Sequence, residues 1–438
     1  MDTQSELAQE HPHQSTTVDH LPLEIIAYIM ELGHMDGCNP MLDPLYWDFG
    51  FRDTISLLSH RFRSIALGTP KLWNCLRVYI GRDDEHALLG TSPESFSRGL
   101  QRSGAVPLDL LFVCRRTCDE GRDVGDSRRI SRLLFPHLSR LRSCDLFIES
   151  MTGALPLFDT FQFAEAPALE RMAFRSVEED AEDITDWIDR KGSHPIFSGG
   201  TPNMSSLTIV GIILFPPTSP LPRLQAVTFL SITTDTPQYF PAEFRSLLSA
   251  MPSLTELELM SPFVVHFEAF STPNLRSLTL SDLAANELLE GWTAPVLQSL
   301  CIGRLCGGIH DALQHIDTTK YPMLESLVLG GDEFTLTWPF VHATDTLKHV
   351  SLMDISRQSA DHLLHMMTPS PPCLWPRLQS FSIGSASPFA WSAFLLQRVV
   401  ADRPILRAQI YGRLYVLDDD VAAIERLARE EWVAIGSA

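Results

Sequence analysis

Lysine is almost missing from this chain. Its 438 residues hold four lysines, Lys71, Lys191, Lys320 and Lys348, against 30 arginines and 54 acidic residues, and the formal charge is −20. A surface of that sign repels phosphate backbones and anionic headgroups, which argues against nucleic-acid and membrane partners. No lysine follows a glycine, so the step that sets an amine on a nucleotide phosphate is lacking. H-E-x-x-H, G-x-S-x-G and a helix-opening G-x-G-x-x-G are lacking too, and neither a catalytic residue nor a cofactor is expected. No apolar run approaches the ~18 residues of a membrane span, and the opening stretch has neither the basic start nor the apolar core of a signal peptide. Eight scattered cysteines do not make a disulfide scaffold. The cytosol or nucleus is the expected compartment. Cys114, Cys118, His137 and Cys144 form the one tempting cluster, but their spacing is not that of a zinc site and no metal is expected. The acidic run from Glu178 to Asp183 lacks the glycine turn of a calcium loop and reads as solvated charge.

Apolar residues make up 45% of the chain and proline stands at 30 positions, a composition for a soluble chain with many interruptions. Residues 1–17 are polar and read as a disordered leader. From Asp19 the text becomes DHLPLEIIAYIMELG: Pro22 suits a first helical turn, Glu24 its positive end and Gly33 its stop. Ile25, Ile26, Ile29 and Leu32 share a face that a second helix is expected to cover. That helix is read over Asp53 to Ala66, with Ile55, Leu58, Phe62 and Ile65 at helical steps, a stop at Thr69-Pro70, and Trp73 plugging its end. Between them lies a long loop with Tyr46, Trp47, Phe49 and Phe51 as aromatic anchors.

The ordered phrases L-P-x-E-I-I-x-x-I, then I-x-x-L-x-x-x-F-R-x-I-A-x-x-x-P-x-L-W, are similar to the F-box motif in its fungal form, over residues 19–76. The resemblance implies a small all-α domain, placed at 18–80, that lays apolar side chains on a Skp-type linker subunit held by a cullin ligase. The motif residues are Leu21, Pro22, Ile25, Ile29, Leu58, Phe62, Ile65 and Trp73, some docking on the linker and some packing the domain. Phe62 stands where the family usually has tryptophan, and the loop between the helices is longer than usual.

One phrase, P-x-L-x-x-L-x-L, returns through the rest of the chain. Its first apolar positions are read at residues 169, 204, 224, 254, 275, 297, 324, 347 and 378, giving intervals of 35, 20, 30, 21, 22, 27, 23 and 31. Most lie in or near the period of about 20 to 29 residues of leucine-rich repeats. The last two apolar residues alternate along a strand and point inward, and neighbouring copies must stack to bury them. Weaker copies are read at Leu108 and at Pro136-His-Leu138-Ser-Arg-Leu141, and short helices or turns at Pro241 to Ala250 and Asp361 to Met367. The asparagine or cysteine that usually closes such a turn is replaced by Pro262, Leu283, Leu305, Asp332, Ile355 and Ala386, so the turns must satisfy their backbone groups by other means.

The expected fold class is therefore α/β: an F-box domain, an irregular leucine-rich-repeat solenoid over 81–417, and a capping helix at 418–438 with a Val421, Ile424, Leu427, Ala428 and Trp432 stripe. The solenoid is entered through a helix started by Ser92-Pro93-Glu94 and ended by Arg102-Ser-Gly, a phrase that also resembles fungal F-box-like proteins. Side chains facing away from the core of the sheet are the candidates for holding an unknown protein target: Thr228, Glu256, Glu258, Thr279, Ser299, Ser326, His349 and Ser351. The function expected is that of a substrate adaptor in a Skp-cullin-F-box type ubiquitin ligase; the alternative is a repeat-built binding scaffold with no ligase connection.

Overall fold

Short amphipathic helices come first and strands at repeat spacing follow. The computed structural model describes residues 21–37, 50–81, 91–115, 120–176, 197, 199–211, 224–233, 241–260, 270–281, 288–303, 319–331, 344–367, 375–384, 386–400, 405–410 and 413–416. The expected leader, Tyr46, Trp47 and Phe49, the acidic run and the expected capping helix lie outside them. Contacts divide the chain into one unit of Met1–Val78 with Thr91–Leu111 and a second of Tyr79–Gly90 with Phe112–Ala438.

The first unit contains α1 (Leu23–Gly37), α2 (Gly50–Leu58), α3 (His60–Gly68), a 3-10 turn Pro70–Trp73 and α4 (Pro93–Arg102). Strands β1 (Cys75–Ile80) and β2 (Leu108–Cys114) straddle the division. Pro22 opens α1: its carbonyl accepts the N–H groups of Ile25 and Ile26 at 3.2 Å. The single helix expected over Asp53 to Ala66 is in fact two. Ser59 leaves the helical conformation (φ −160°, ψ 166°) and its hydroxyl accepts the Phe62 N–H at 3.2 Å. A serine that caps gains what it would lose inside a helix. The apolar rhythm survives the break because Ile55 of α2 and Ile65 of α3 enter one core with Ile26, Met30, Ala66, Leu72 and Trp73.

The far end of that core closes as a plug. The Trp73 indole N–H donates to the Ala66 carbonyl at 2.8 Å, and the Thr69 hydroxyl donates to the Ile65 carbonyl at 2.8 Å. The guanidinium groups of Arg52 and Arg102 lie 5.0 and 4.3 Å from the Trp73 ring centroid, close enough for cation–π attraction. In α4, Ser92 accepts the Ser95 N–H and Pro93 takes the first helical position. After Arg102 comes Gly104 at φ +55°, a conformation without penalty only for glycine.

The second unit is mixed α/β with a long parallel sheet. Its strands are β3 (Leu141–Ile148), β4 (Arg171–Ser176), β5 (Ser206–Val210), β6 (Phe229–Thr233), β7 (Glu256–Met260), β9 (Ser277–Ser281), β11 (Ser299–Gly303), β12 (Ser326–Gly330), β13 (His349–Met353), β14 (Ser380–Ile383) and β15 (Arg407–Ile410), each parallel to the next. Strand β16 (Arg413–Val416) turns back antiparallel on β15, and the short β8 (Phe270–Ser271) and β10 (Trp292–Thr293) pair separately. Helices connect the strands: α5 (Glu120–Leu134), α6 (Met151–Gln162), then Pro241–Ser249, Arg357–Met367 and Pro388–Val400.

Strand register corrects the repeat at two places. Leu207 pairs with Leu230 and Ile209 with Ile232, so the third copy runs Val227, Leu230, Ile232, three residues beyond the Leu224, Val227, Phe229 reading. Intervals of 20 and 30 residues around it become 23 and 27, from 204 to 227 to 254. Likewise Cys144 and Leu146 pair with Met172 and Phe174, which makes Leu141, rather than Leu138, the first apolar position of the early copy. Both slips have one cause. In L-x-x-L-x-x-L a shift of three residues leaves the pattern intact, and only the period-2 strand that follows fixes it.

The turn before each strand carries a further rule. The residue three before the first apolar position accepts that position's N–H: Ala166 from Leu169 (3.1 Å), Thr201 from Met204 (3.1 Å), Met251 from Leu254 (3.1 Å), Thr272 from Leu275 (3.4 Å), Ala294 from Leu297 (3.0 Å), Tyr321 from Leu324 (3.2 Å), Thr344 from Leu347 (3.2 Å) and Trp375 from Leu378 (3.0 Å). All eight acceptor residues are buried. Proline follows the acceptor in every one of these except Thr344, presetting the second position of a β-turn. Where the acceptor is bulky its polar atom is satisfied: the Trp375 indole donates to the Thr344 hydroxyl at 2.9 Å, and the Tyr321 hydroxyl donates to the Trp292 carbonyl at 3.0 Å.

Side chains on the turns that precede the strands bond one repeat to its neighbour, whereas Pro262, Leu283, Leu305 and Asp332 lie outside the described residues. The Asn203 amide donates to the Pro167 carbonyl at 2.7 Å and the Asn274 amide to that of Pro252 at 2.8 Å. Hydroxyls of Ser205, Thr228 and Thr255 donate to the carbonyls of Glu170, Ser205 and Thr228 at 3.1 to 3.2 Å, one repeat to the next. The same carbonyls also accept two backbone N–H groups from the following repeat: that of Thr228 takes Thr255 and Glu256, both at 2.9 Å. At the other end Arg398, buried on its helix, donates to the Trp375 carbonyl at 3.1 Å.

Candidate interaction surfaces

In the first unit the expected motif residues separate by burial. Ile65 and Trp73 are core. Leu21 and Phe62 are half-buried against that core, and the Leu21 carbonyl accepts from Arg61 Nη2 at 2.5 Å. Pro22, Ile25, Ile29 and Leu58 are exposed. Of the face expected to be covered by the second helix only Ile26 is buried, together with Met30, while Ile25, Tyr28, Ile29 and Leu32 are 46%, 58%, 51% and 46% exposed. Positions 25, 28, 29 and 32 recur at three, four and seven residues, so they line one stripe of α1. Leu57 and Leu58, at the end of α2, are 78% and 64% exposed. Tyr28 and Leu57 were not singled out from sequence as exposed, although the continuation of the Ile25 spacing through Tyr28 carried that signal.

The stripe is rigidly backed. Gly33 lets the Phe51 ring approach α1, since a Cβ there would lie 2.3 Å from its tip. The Lys71 ammonium, 2.9 Å from the Glu31 carboxylate, ties the 3-10 turn to the same helix. An apolar stripe held in water on a packed scaffold is characteristic of an interaction surface.

In the second unit, register lays the outward residues in rows across the strands. One row holds Ser206, Phe229, Glu256, Ser277, Ser299, Ser326, His349 and Ser380; the next holds Thr208, Ser231, Glu258, Thr279, Cys301, Val328, Ser351 and Ser382. Thr228 is not among them. The corrected register puts it on the turn, and Phe229 and Ser231 take its place on the sheet face. The rows are small and hydroxyl-rich, with an acidic pair at β7.

Three of the described cysteines are held in the thiol form. Cys114 Sγ donates to the Ser150 carbonyl at 3.4 Å, and burial, then the charges of Asp123 and Glu149, push its pKa up to about 12. Burial, aided by Asp145, holds Cys144 well above the ordinary thiol value, and burial with Glu258 raises Cys301. His137 is pushed down by burial and by Arg140, and Cys118 lies outside the described residues. Among the described residues no three His, Cys, Asp or Glu side chains are grouped to hold a metal, and no helix is long and apolar enough to cross a membrane.

No family model and no curated protein matches the chain. Among solved structures, a Bacteroides fragilis protein aligns at 16% identity and a TM-score of 0.35, covering 64% of this chain and 77% of that one, a likeness too slight to carry an argument.

Proposed function

We propose that this chain is a non-enzymatic adaptor of a Skp-cullin-F-box type ubiquitin ligase, whose first unit docks on the Skp-type linker subunit and whose repeat unit holds a protein target. One observation carries the reading: the exposed stripe of Ile25, Tyr28, Ile29 and Leu32 belongs to the segment whose spelling resembles the F-box motif. Burying a large apolar side chain contributes about 1.5 to 3 kcal/mol, so several together supply a stable contact. Chemistry then occurs on other subunits, and the repeats set where the target sits relative to them. Ile65 and Trp73 act by holding the domain together, Leu21 and Phe62 by bridging its core and its surface.

Co-purification from cells tests the reading. The natural chain should bring down Skp-type and cullin subunits, and Ile25→Ala/Ile29→Ala should not; equal recovery with both chains would refute it and leave the repeat-built scaffold without a ligase.

A further inference from the structure

A shallow pocket of about 340 Å³ lies on the turns that lead into β7, β9, β11 and β12. Its lining has a simple origin. The first apolar residues of these repeats, Leu254, Leu275, Leu297 and Leu324, point inward, so their chain neighbours on either side point out. The preceding neighbours, Ser253, Asn274, Val296 and Met323, form one lip of a trough, and the following ones, Thr255, Arg276 and Gln298, form the other. The trough therefore crosses four repeats.

Two of the polar groups are engaged in the ladder between repeats: the Asn274 amide donates to Pro252 and the Thr255 hydroxyl to Thr228. Further along the same lip Lys348 is also engaged, 2.6 Å from Glu325. Arg276 differs. Among the described residues its guanidinium has no partner, nor do the Ser253 hydroxyl and the Gln298 side-chain amide, and Met323 stands 49% exposed beside them.

We propose that this trough seats an extended segment of a partner protein through an acidic side chain placed on Arg276. Four repeats at ~4.8 Å between strands span ~14 Å, the reach of about four extended residues. The planar guanidinium takes a carboxylate through two hydrogen bonds, with Gln298 and Ser253 as additional donors, and Val296 and Met323 receive an adjacent aliphatic side chain. A carboxylate suits the site better than a phosphate group: Arg276 is the one charged side chain in the lining, and a singly charged acid matches it. This deepens the target-holding half of the adaptor reading, on which it rests for the partner's role, and is independent of the linker-docking half.

The test uses the full chain with its methionine methyls labelled with carbon-13, Met323→Leu identifying the reporting signal. Addition of acetyl-Leu-Glu-Leu-Glu-amide should move the Met323 resonance saturably. The glutamine counterpart, or Arg276→Gln, should weaken binding about tenfold, the worth of a charge-assisted pair of about 1.4 kcal/mol. Arg276→Glu should instead favour acetyl-Leu-Lys-Leu-Lys-amide. No movement, equal response to the glutamine peptide, indifference to Arg276→Gln, or a preference for inorganic phosphate would each overturn the proposal. Failure here would leave co-purification with Skp-type subunits unchanged, and failure of that co-purification would leave the peptide response unchanged.

Discussion

The two units present opposite kinds of surface. On α1 large aliphatic and aromatic side chains face water, whereas the outward rows of the long sheet carry mainly serine, threonine and an acidic pair. Both surfaces rest on cores of the same residues, isoleucine and leucine, so composition does not explain the difference. Geometry does. The parallel strands are near neighbours and their outward side chains must fit beside one another, while α1 has an open side along which the four stripe positions are large and apolar. The helical unit is therefore suited to burial against a partner, and the sheet to polar contact with specificity added at its turns.

Substitutions that remove the same amount of apolar surface from the two kinds of site should break this comparison if it is wrong. Trp73→Ala deletes the plug of the helical core and should cost about 3 to 5 kcal/mol in urea unfolding of that unit. In the sheet, Leu327→Ala empties a fully buried position and should cost about 2 to 5 kcal/mol by the same measurement. Ile25→Ala/Ile29→Ala removes comparable surface from the stripe, yet thermal unfolding should stay within about 0.5 kcal/mol per site of the natural chain. A large loss there would mean that the stripe is inward-facing after all.

Two finer tests address the second unit. The Cys114 thiol is held protonated in the fold, with its pKa at about 12 against an ordinary 9.0. An unfolded chain deprotonates first, so the stabilising contribution is complete below pH 9 and is lost as pH rises towards 12. Urea midpoints measured from pH 8 to pH 11 should fall, and Cys114→Ala should flatten that fall. Thr255→Val deletes one rung of the hydroxyl ladder to Thr228 and should cost about 0.5 to 1.5 kcal/mol, visible as a small drop in melting temperature.

Much of this architecture was legible in the amino-acid text, and the exceptions are instructive. The P-x-L-x-x-L-x-L phrase found the strands because period-2 alternation in the last three positions is specific to them. It misplaced β6 and the early copy by three residues because Leu-x-x-Leu repeats onto itself. The turn residue before proline went unnoticed although alanine, threonine, methionine, tyrosine or tryptophan occupies it, since no single side-chain type marks it. On α1 the run LEIIAYIM is apolar nearly all round, so spacing grouped Ile25, Ile26, Ile29 and Leu32 on one inward face, whereas Ile26 turns in with Met30 and the other three face water. Ser59 interrupts the helix and caps the start of α3 with its side chain, which the apolar rhythm passes over.

Titration calorimetry of the full chain with a purified Skp-type linker subunit tests the central claim most directly. The account predicts saturable binding with the negative heat-capacity change of apolar burial, weakened at least about 100-fold, roughly 2.7 kcal/mol, by Ile25→Ala/Ile29→Ala. Equal affinity for both chains, or no binding by the natural one, would contradict it.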